Sequence, residues 1–447
     1  MKAERYKKME EKFPLIAHRY QDAGPLEMTV SRLARGNTFN MRVVGLEAIK
    51  RFRRLNPDCA ITFKPNHLSE ADFILLTLLF RENDMRVVIE GGANLFIDHI
   101  DIFKDLLPLF VHPGFKDSLP GRELSIAQYL TTRGAFKIFR EPQKLLLDDG
   151  GEVAIGKKEI LALSKAYRHH LVKTHEMYVT FPGYSSVRSG LMDLIKKEGV
   201  KTGRSYTGKF DGFHHLPFQM DVEAAMDSGV DVYIVNVNIA YAPVLEDENF
   251  LELLRMQADG VGKGQIYLKD LGYIVEKFCQ DKRKGELSIK FGQPWKIDTT
   301  PFKDPFMGRK IKNAAMSLAK STFHKTLAMQ PIFPANIYFT AFDPHFDRIS
   351  IRNMKERIDD IRDHLRHLVW GKHKRRVDLH YVLDYRNHIY AADEIINRTF
   401  DLFNTQHKQI TARDGDMFVV YNHHVAMQYR NHVAHFFENL KHREKRE

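Results

Sequence analysis

The sequence predicts an α/β fold, in which a central mostly parallel or mixed sheet is flanked by helices and followed by a helix-rich C-terminal region. Three observations carry this reading. Short apolar runs recur between residues 41 and 300 with helical patterns between them, the alternation that builds a sheet covered by helices. Apolar residues then return at helical spacing in Met354 to Trp370 and in Asp393 to Asn404. The length, 447 residues, is enough to bury a large core in one sizeable domain with an appended region.

Taken in order, residues 1–40 read as charged helix and loop with a short apolar clutch at Phe13 to Ala17. The strands expected in 41–300 are Met41 to Leu46, Cys59 to Phe63, Met85 to Ile89, Met177 to Phe181, Val230 to Ile239 and Leu287 to Phe291. Phe73 to Phe80 (FILLTLLF) is an apolar run that a helix would bury, and Gly134-Ala135-Phe136 opens an apolar stretch that ends at Arg140. Residues 301–447 form the helix-rich region. No internal repeat or low-complexity tract interrupts the chain.

The net charge of +11 and the pI near 9.3 favour an anionic partner. A membrane surface, a phosphorylated substrate, an acidic carrier protein and nucleic acid all satisfy that charge. Two cysteines, Cys59 and Cys279, are too few for a disulfide framework and lack metal-ligand spacing, so a reducing compartment is expected. The opening residues MKAERYKKMEEKF contain no apolar segment of the kind a secretory signal needs. Nor does any apolar run reach 18 residues. A lipid-directed activity would therefore place the chain on a membrane and not through it.

Asn66-His67-Leu68-Ser69-Glu70-Ala71-Asp72 sets a histidine and a carboxylate five positions apart where an apolar strand gives way to a helix. An imidazole can take a proton from an alcohol when its other ring nitrogen is held by an acceptor. Asp72 is placed to be that acceptor. Ser69-x-x-Asp72 ahead of an apolar run is equally a helix-capping pattern that needs no chemistry. The spacing His-x-x-x-x-Asp also occurs at His112/Asp117, His373/Asp378 and His388/Asp393. Of the four, His67/Asp72 combines the strand, the Asn-His-x-Ser turn and the apolar helix.

In that setting the motif resembles the first signature block of the glycerolipid acyltransferases, which include glycerol-3-phosphate and lysophosphatidate acyltransferases. Further blocks follow in order. Gly134 to Arg140 (GAFKIFR) is similar to the second, Gly203-Arg204-Ser205-Tyr206-Thr207-Gly208-Lys209 to the third of the glycerol-3-phosphate branch, and Val235 to Glu246 (VNVNIAYAPVLE) to the fourth. Phe291-Gly292-Gln293-Pro294 is similar to the strand end that often comes next. Tyr429 to His435 (YRNHVAH) is similar to a segment of the longer glycerol-3-phosphate and dihydroxyacetone-phosphate enzymes.

Departures from the pattern fall mainly in the third block. Phe181-Pro182 is followed by Gly183 where the family has glutamate, and some twenty residues intervene before Arg204. Arg188-Ser189-Gly190 competes with Arg204 for the same role, and Glu198 is the nearest replacement glutamate. Arg204 is preferred because its distance to Tyr241 suits the family spacing. Leu68 stands where the glycerol-3-phosphate branch has arginine, and Asn236 where proline is usual. Gly203 to Lys209 also approaches P-loop spacing, but Phe210 takes the place of the magnesium-binding hydroxyl.

The resemblance implies transfer of a fatty acyl group from acyl-CoA or acyl-carrier protein to the hydroxyl of glycerol 3-phosphate, with lysophosphatidate and dihydroxyacetone phosphate as alternative acceptors. It assigns His67 as general base and Asp72 as its orienting partner. Arg140, Gly203, Arg204, Ser205, Lys209 and Arg188 become the residues for the acceptor phosphate, whose charge suits a guanidinium fork or a glycine-rich turn. Neither a cofactor nor a metal is implied. The histidines of the C-terminal third, among them His364, His367, His423, His432 and His442, are interleaved with Lys and Arg and lack a His-Glu-x-x-His arrangement. Lys372 to Arg376 (KHKRR) is a candidate contact for an anionic membrane, or simply a solvated basic face. The expected setting is the cytoplasmic face of a membrane, with no nucleic-acid partner. A non-catalytic lipid-binding relative and a nucleic-acid-binding protein are the readings set against this one.

Overall fold

A computed structural model of the chain describes residues 39–69, 71–92, 125–132, 134–138, 143–146, 152–183, 213–244, 285–300, 308–342, 348–371, 377–403 and 410–437, with isolated positions at 7, 9–13, 17, 247, 256, 259–261, 269 and 273. Chain order begins β1 (Phe39–Val44), α1 (Leu46–Leu55), β2 (Ala60–Pro65), α2 (Ala71–Glu82), β3 (Val87–Gly92), α3 (Ile126–Thr132) and β4 (Ala135–Ile138). A hairpin of β5 (Gln143–Leu146) and β6 (Glu152–Ile155) precedes α4 (Lys157–Lys173), β7 (Met177–Val179), α5 (His215–Ser228) and β8 (Val232–Ala242). Next come β9 (Gly285–Phe291), β10 (Trp295–Lys296), α6 (Gly308–Ala328), α7 (Pro334–Ala341), β11 (Arg348–Ser350) and α8 (Ile351–Trp370). The described chain closes with α9 (Ala392–Phe403), β12 (Thr411–Asp414), β13 (Met417–Val420) and α10 (His423–His432), before a last short helical turn.

The fold is α/β, with a mixed, mostly parallel central sheet in the order β1-β9-β8-β2-β7-β3-β4. Neighbours are parallel except at β8/β9, and β10 pairs antiparallel with β8. All six residues of β2 are buried, the pattern of a central strand covered on both faces. Alternation along the strands feeds two cores. Ile61, Phe63, Val235, Val237 and Ile239 face α1 and α2. Ala60, Val88, Tyr178 and Ile234 face α4, α5 and α6. From β2 the chain leaves towards β3, whereas from β7 it crosses to β8 on the far side of β2. Such a reversal opens a crevice at the carboxyl ends of the strands, the usual ligand site of open α/β sheets.

Towards the C terminus, α7 is buried almost throughout and packs against α8, α9 and α10. In α8 the buried Met354, Ile358, Ile361 and Leu365 recur at one face, each contributing about 1.5–3 kcal/mol on burial. These helices share the core of α1 and α2.

Several boundaries differ from the sequence reading. Leu46 opens α1 and does not end β1, because Gly45 turns the chain at φ +88° against the Phe291 carbonyl, where a Cβ would lie only 2.3 Å from that oxygen. β8 runs on to Ala242, three residues beyond the expected end. Helices do dominate the C-terminal region, yet β11, β13 and β12 add an antiparallel sheet there that the sequence reading lacks.

Candidate active site

The site begins where β2 ends. Pro65 pairs in register with Val237 of β8, and the Asn66 N–H donates to the Val237 carbonyl at 3.3 Å as the last backbone rung of this ladder. Asn66 continues it with its side chain. Its Nδ2 donates to the Ile239 carbonyl at 2.7 Å, and its Oδ1 accepts from the Ile239 N–H at 2.7 Å. His67 leaves the sheet directly after this clasp, and its ring packs on Phe181 with centroids 4.8 Å apart. Its side chain is 16% exposed, whereas that of Asp72 is wholly buried.

His67 Nδ1 lies 2.9 Å from Asp72 Oδ2. An ionised carboxylate only accepts, so this pairing puts the ring proton on Nδ1 and makes Nε2 the basic nitrogen. The same Oδ2 accepts the N–H groups of Leu68 at 2.7 Å and Ser69 at 3.1 Å, and Oδ1 accepts the Tyr241 hydroxyl at 2.5 Å. Asp72 stands in the first turn of α2, where the helix dipole favours a negative charge. Ser69 Oγ accepts from the Ala71 N–H. The capping reading and the dyad reading of this segment thus coexist in one geometry: the carboxylate that satisfies the turn's amides also holds the imidazole.

Of the predicted site residues, the structure brings His67 and Asp72 together. Arg140, Arg188, Gly203, Arg204, Ser205, Lys209 and the candidate Glu198 lie outside the described residues, as do His112, Asp117 and His373. Asp378 pairs with Arg42 at 2.8 Å and with Lys290. Asp393 pairs with Lys355 at 2.7 Å, while His388 is exposed in a turn. Three contributors escaped the sequence reading. Tyr241 and Phe181 sit in quoted motifs, but only the β2–β8 and β2–β7 pairings bring them to the dyad, while Asn66, next to His67 in the chain, takes its role from its partner Ile239 on β8.

Two further assemblies flank the site. On the opposite face of β2, Lys64 Nζ lies 2.6 Å from Asp221 Oδ2 of α5, with both side chains fully buried. That contact is close but not aligned as a hydrogen bond, so its attraction is Coulombic. Asp221 Oδ1 accepts from Arg168 at 2.8 Å and from the Tyr178 hydroxyl at 2.9 Å, and Arg168 also pairs with Glu90. Burial pushes the Lys64 ammonium down to about 8, against the pull of Asp221. Beyond β8, the Tyr429 hydroxyl accepts from the Val244 N–H at 2.7 Å and donates to Asp247, while its carbonyl accepts from Asn336 at 2.7 Å. That segment therefore docks α10 onto the chain leaving the sheet. Among the described residues no group of three or more His, Cys, Asp or Glu is arranged to hold a metal ion, and no helix is long and apolar enough to cross a membrane.

Comparison with models of known protein families and with curated proteins finds no match to this chain.

Proposed function

We propose that this chain transfers a fatty acyl group from acyl-CoA or acyl-carrier protein to the hydroxyl of glycerol 3-phosphate, working on an anionic membrane surface at its cytoplasmic face. The observation that carries the reading is the dyad: a partly exposed imidazole at the carboxyl end of a central strand, held through Nδ1 by a buried, fully hydrogen-bonded carboxylate. His67 Nε2 takes the alcohol proton as the oxygen attacks the thioester carbonyl. Asp72 keeps the imidazole in the required tautomer and stabilises its charged form. When the tetrahedral adduct collapses, the C–S bond breaks and the imidazolium returns the proton to the departing thiolate. No acyl-enzyme forms.

Arg140 and Arg204, with Lys209, Gly203, Ser205 and Arg188 as further contacts, grip the acceptor phosphate. Their grip converts binding energy into orientation of the hydroxyl. Support for this half is the motif resemblance and the basic balance of the chain. Purified protein given labelled acyl-CoA, or labelled acyl-carrier protein, with glycerol 3-phosphate, lysophosphatidate or dihydroxyacetone phosphate tests the reading. Label in glycerol 3-phosphate is the expected result, and label in another acceptor reassigns the branch. Transfer to none of them with either donor leaves a lipid-holding relative, the reading that Gly183 in place of the family glutamate favours.

A further inference from the structure

We infer that Tyr241 is a positioning residue of the dyad: its hydroxyl acts through Asp72 to fix the orientation of His67 and the share of carboxylate charge that the imidazole meets. The role in turnover rests on the proposed acyl transfer; the effect on His67 does not. Tyr241 lies on β8 beyond Val237 and Ile239, on the strand face that meets α2, and it is 2% exposed. Its hydroxyl reaches Asp72 across 169 positions of sequence.

The division of labour on the carboxylate carries the argument. Oδ2 receives His67, Leu68 and Ser69, while Oδ1 receives Tyr241. With donors at both oxygens the carboxylate is held against rotation about its Cβ–Cγ bond, and part of its charge is drawn towards Oδ1. A phenylalanine at 241 would bury the same ring without any partner to find. The hydroxyl is instead aimed at an acid that already accepts three other donors. Removing it leaves Oδ1 buried without its donor and shifts negative charge onto Oδ2, where it strengthens the hold on a protonated imidazole.

The titratable groups in contact with Asp72 are His67, from the turn after β2, and Tyr241, from β8; the remaining donors are amides. Phe181, beyond β7, meets the His67 ring without a charge.

The test is Tyr241→Phe in the full chain, read in two ways. In the first, the His67 ring is titrated by NMR, its signals assigned from a His67→Gln spectrum; the variant should raise its midpoint by about half a pH unit. Incorporation of 3-fluorotyrosine at 241, a more acidic donor of nearly the same shape, should move the midpoint the other way, and it answers the question even if the phenylalanine variant folds poorly. In the second, acyl transfer is followed against pH. The acid limb should move up with the His67 midpoint and kcat should fall roughly three- to tenfold with the KM for both substrates unchanged. A His67 midpoint that moves with neither replacement overturns the inference. Should the wild-type protein transfer no acyl group to any acceptor, the proposed function falls, and the ring titration alone decides the role of Tyr241.

Discussion

Lys64 and His67 stand three positions apart, and each faces an aspartate that also accepts a tyrosine hydroxyl: Tyr178 on Asp221, Tyr241 on Asp72. Their surroundings separate them. Lys64 is sealed in the α4/α5 side of the sheet with Arg168 and Glu90 completing a charge-balanced cluster, whereas His67 keeps one edge in solvent at the strand end. The same pairing of cationic group, acid and phenol is sealed from solvent at Lys64 and reached by solvent at His67. Accessibility and the position at the topological reversal distinguish the two, and the list of residue types does not.

The largest effect should come from breaking the open member. His67→Ala should lower kcat by about 10² to 10⁴ while leaving the thermal unfolding midpoint within a degree or two of wild type. An unfolding midpoint that collapsed instead would make the imidazole structural. The closed member should behave in the opposite way. Asp221→Ala leaves two buried cations facing Glu90 as their remaining carboxylate, and urea unfolding should show a loss of about 3–5 kcal/mol. A change below about 1 kcal/mol would show that the cluster relaxes freely.

A second contrast pits His67 against His432, which is buried in α10. Burial, with a smaller push from His435, takes its pKa down to about 4, from about 6.5 in the unfolded chain. Between these values the unfolded state binds a proton that the folded state refuses. Stability therefore falls as pH drops from 6.5 towards 4, by about 3 kcal/mol from this residue. The measurement is the difference between wild type and His432→Gln in urea midpoints across that window: the variant should show the shallower slope, and parallel curves would refute the assignment. The smallest effect is expected at the brace beyond β8. Tyr429→Phe removes the hydroxyl that the Val244 N–H and Asp247 share, while that N–H keeps its 3.1 Å bond to Asp247, which should cost about 0.5–1.5 kcal/mol. If kcat fell as far as in His67→Ala without loss of stability, the brace would have to be counted with the dyad.

Local signals were the legible ones. β2, the turn at His67 and α2 are contiguous, so the pattern of apolar run, turn and apolar run is enough to order them. Tyr241 was hidden by distance, since pairing between β2 and β8 is what carries it to Asp72. Lys64 was hidden by its type, because a lysine next to an apolar run reads as a surface residue until Asp221 and Arg168 supply its counter-charges. Within β8, Asn236 donates to the Thr322 carbonyl at 2.6 Å and accepts from Trp295 at 2.8 Å, and Asn238 donates to Gln330 at 2.9 Å. In this strand the asparagines are fasteners for the α6 side, which a sequence pattern cannot supply. The strands of the C-terminal sheet are three or four residues long, too short for alternation to register.

The Asn66 clasp has one more consequence. Because a side-chain amide offers both a donor and an acceptor, it adds a rung to Ile239 beyond the last backbone bond between the strands, and only asparagine has that pair of groups at that reach. Aspartate in its place would set a negative oxygen against the Ile239 carbonyl, pry the two strands apart at their tips, and let the imidazole ride at a different height above the sheet. The height of the imidazole is therefore set by a neighbour that is itself buried.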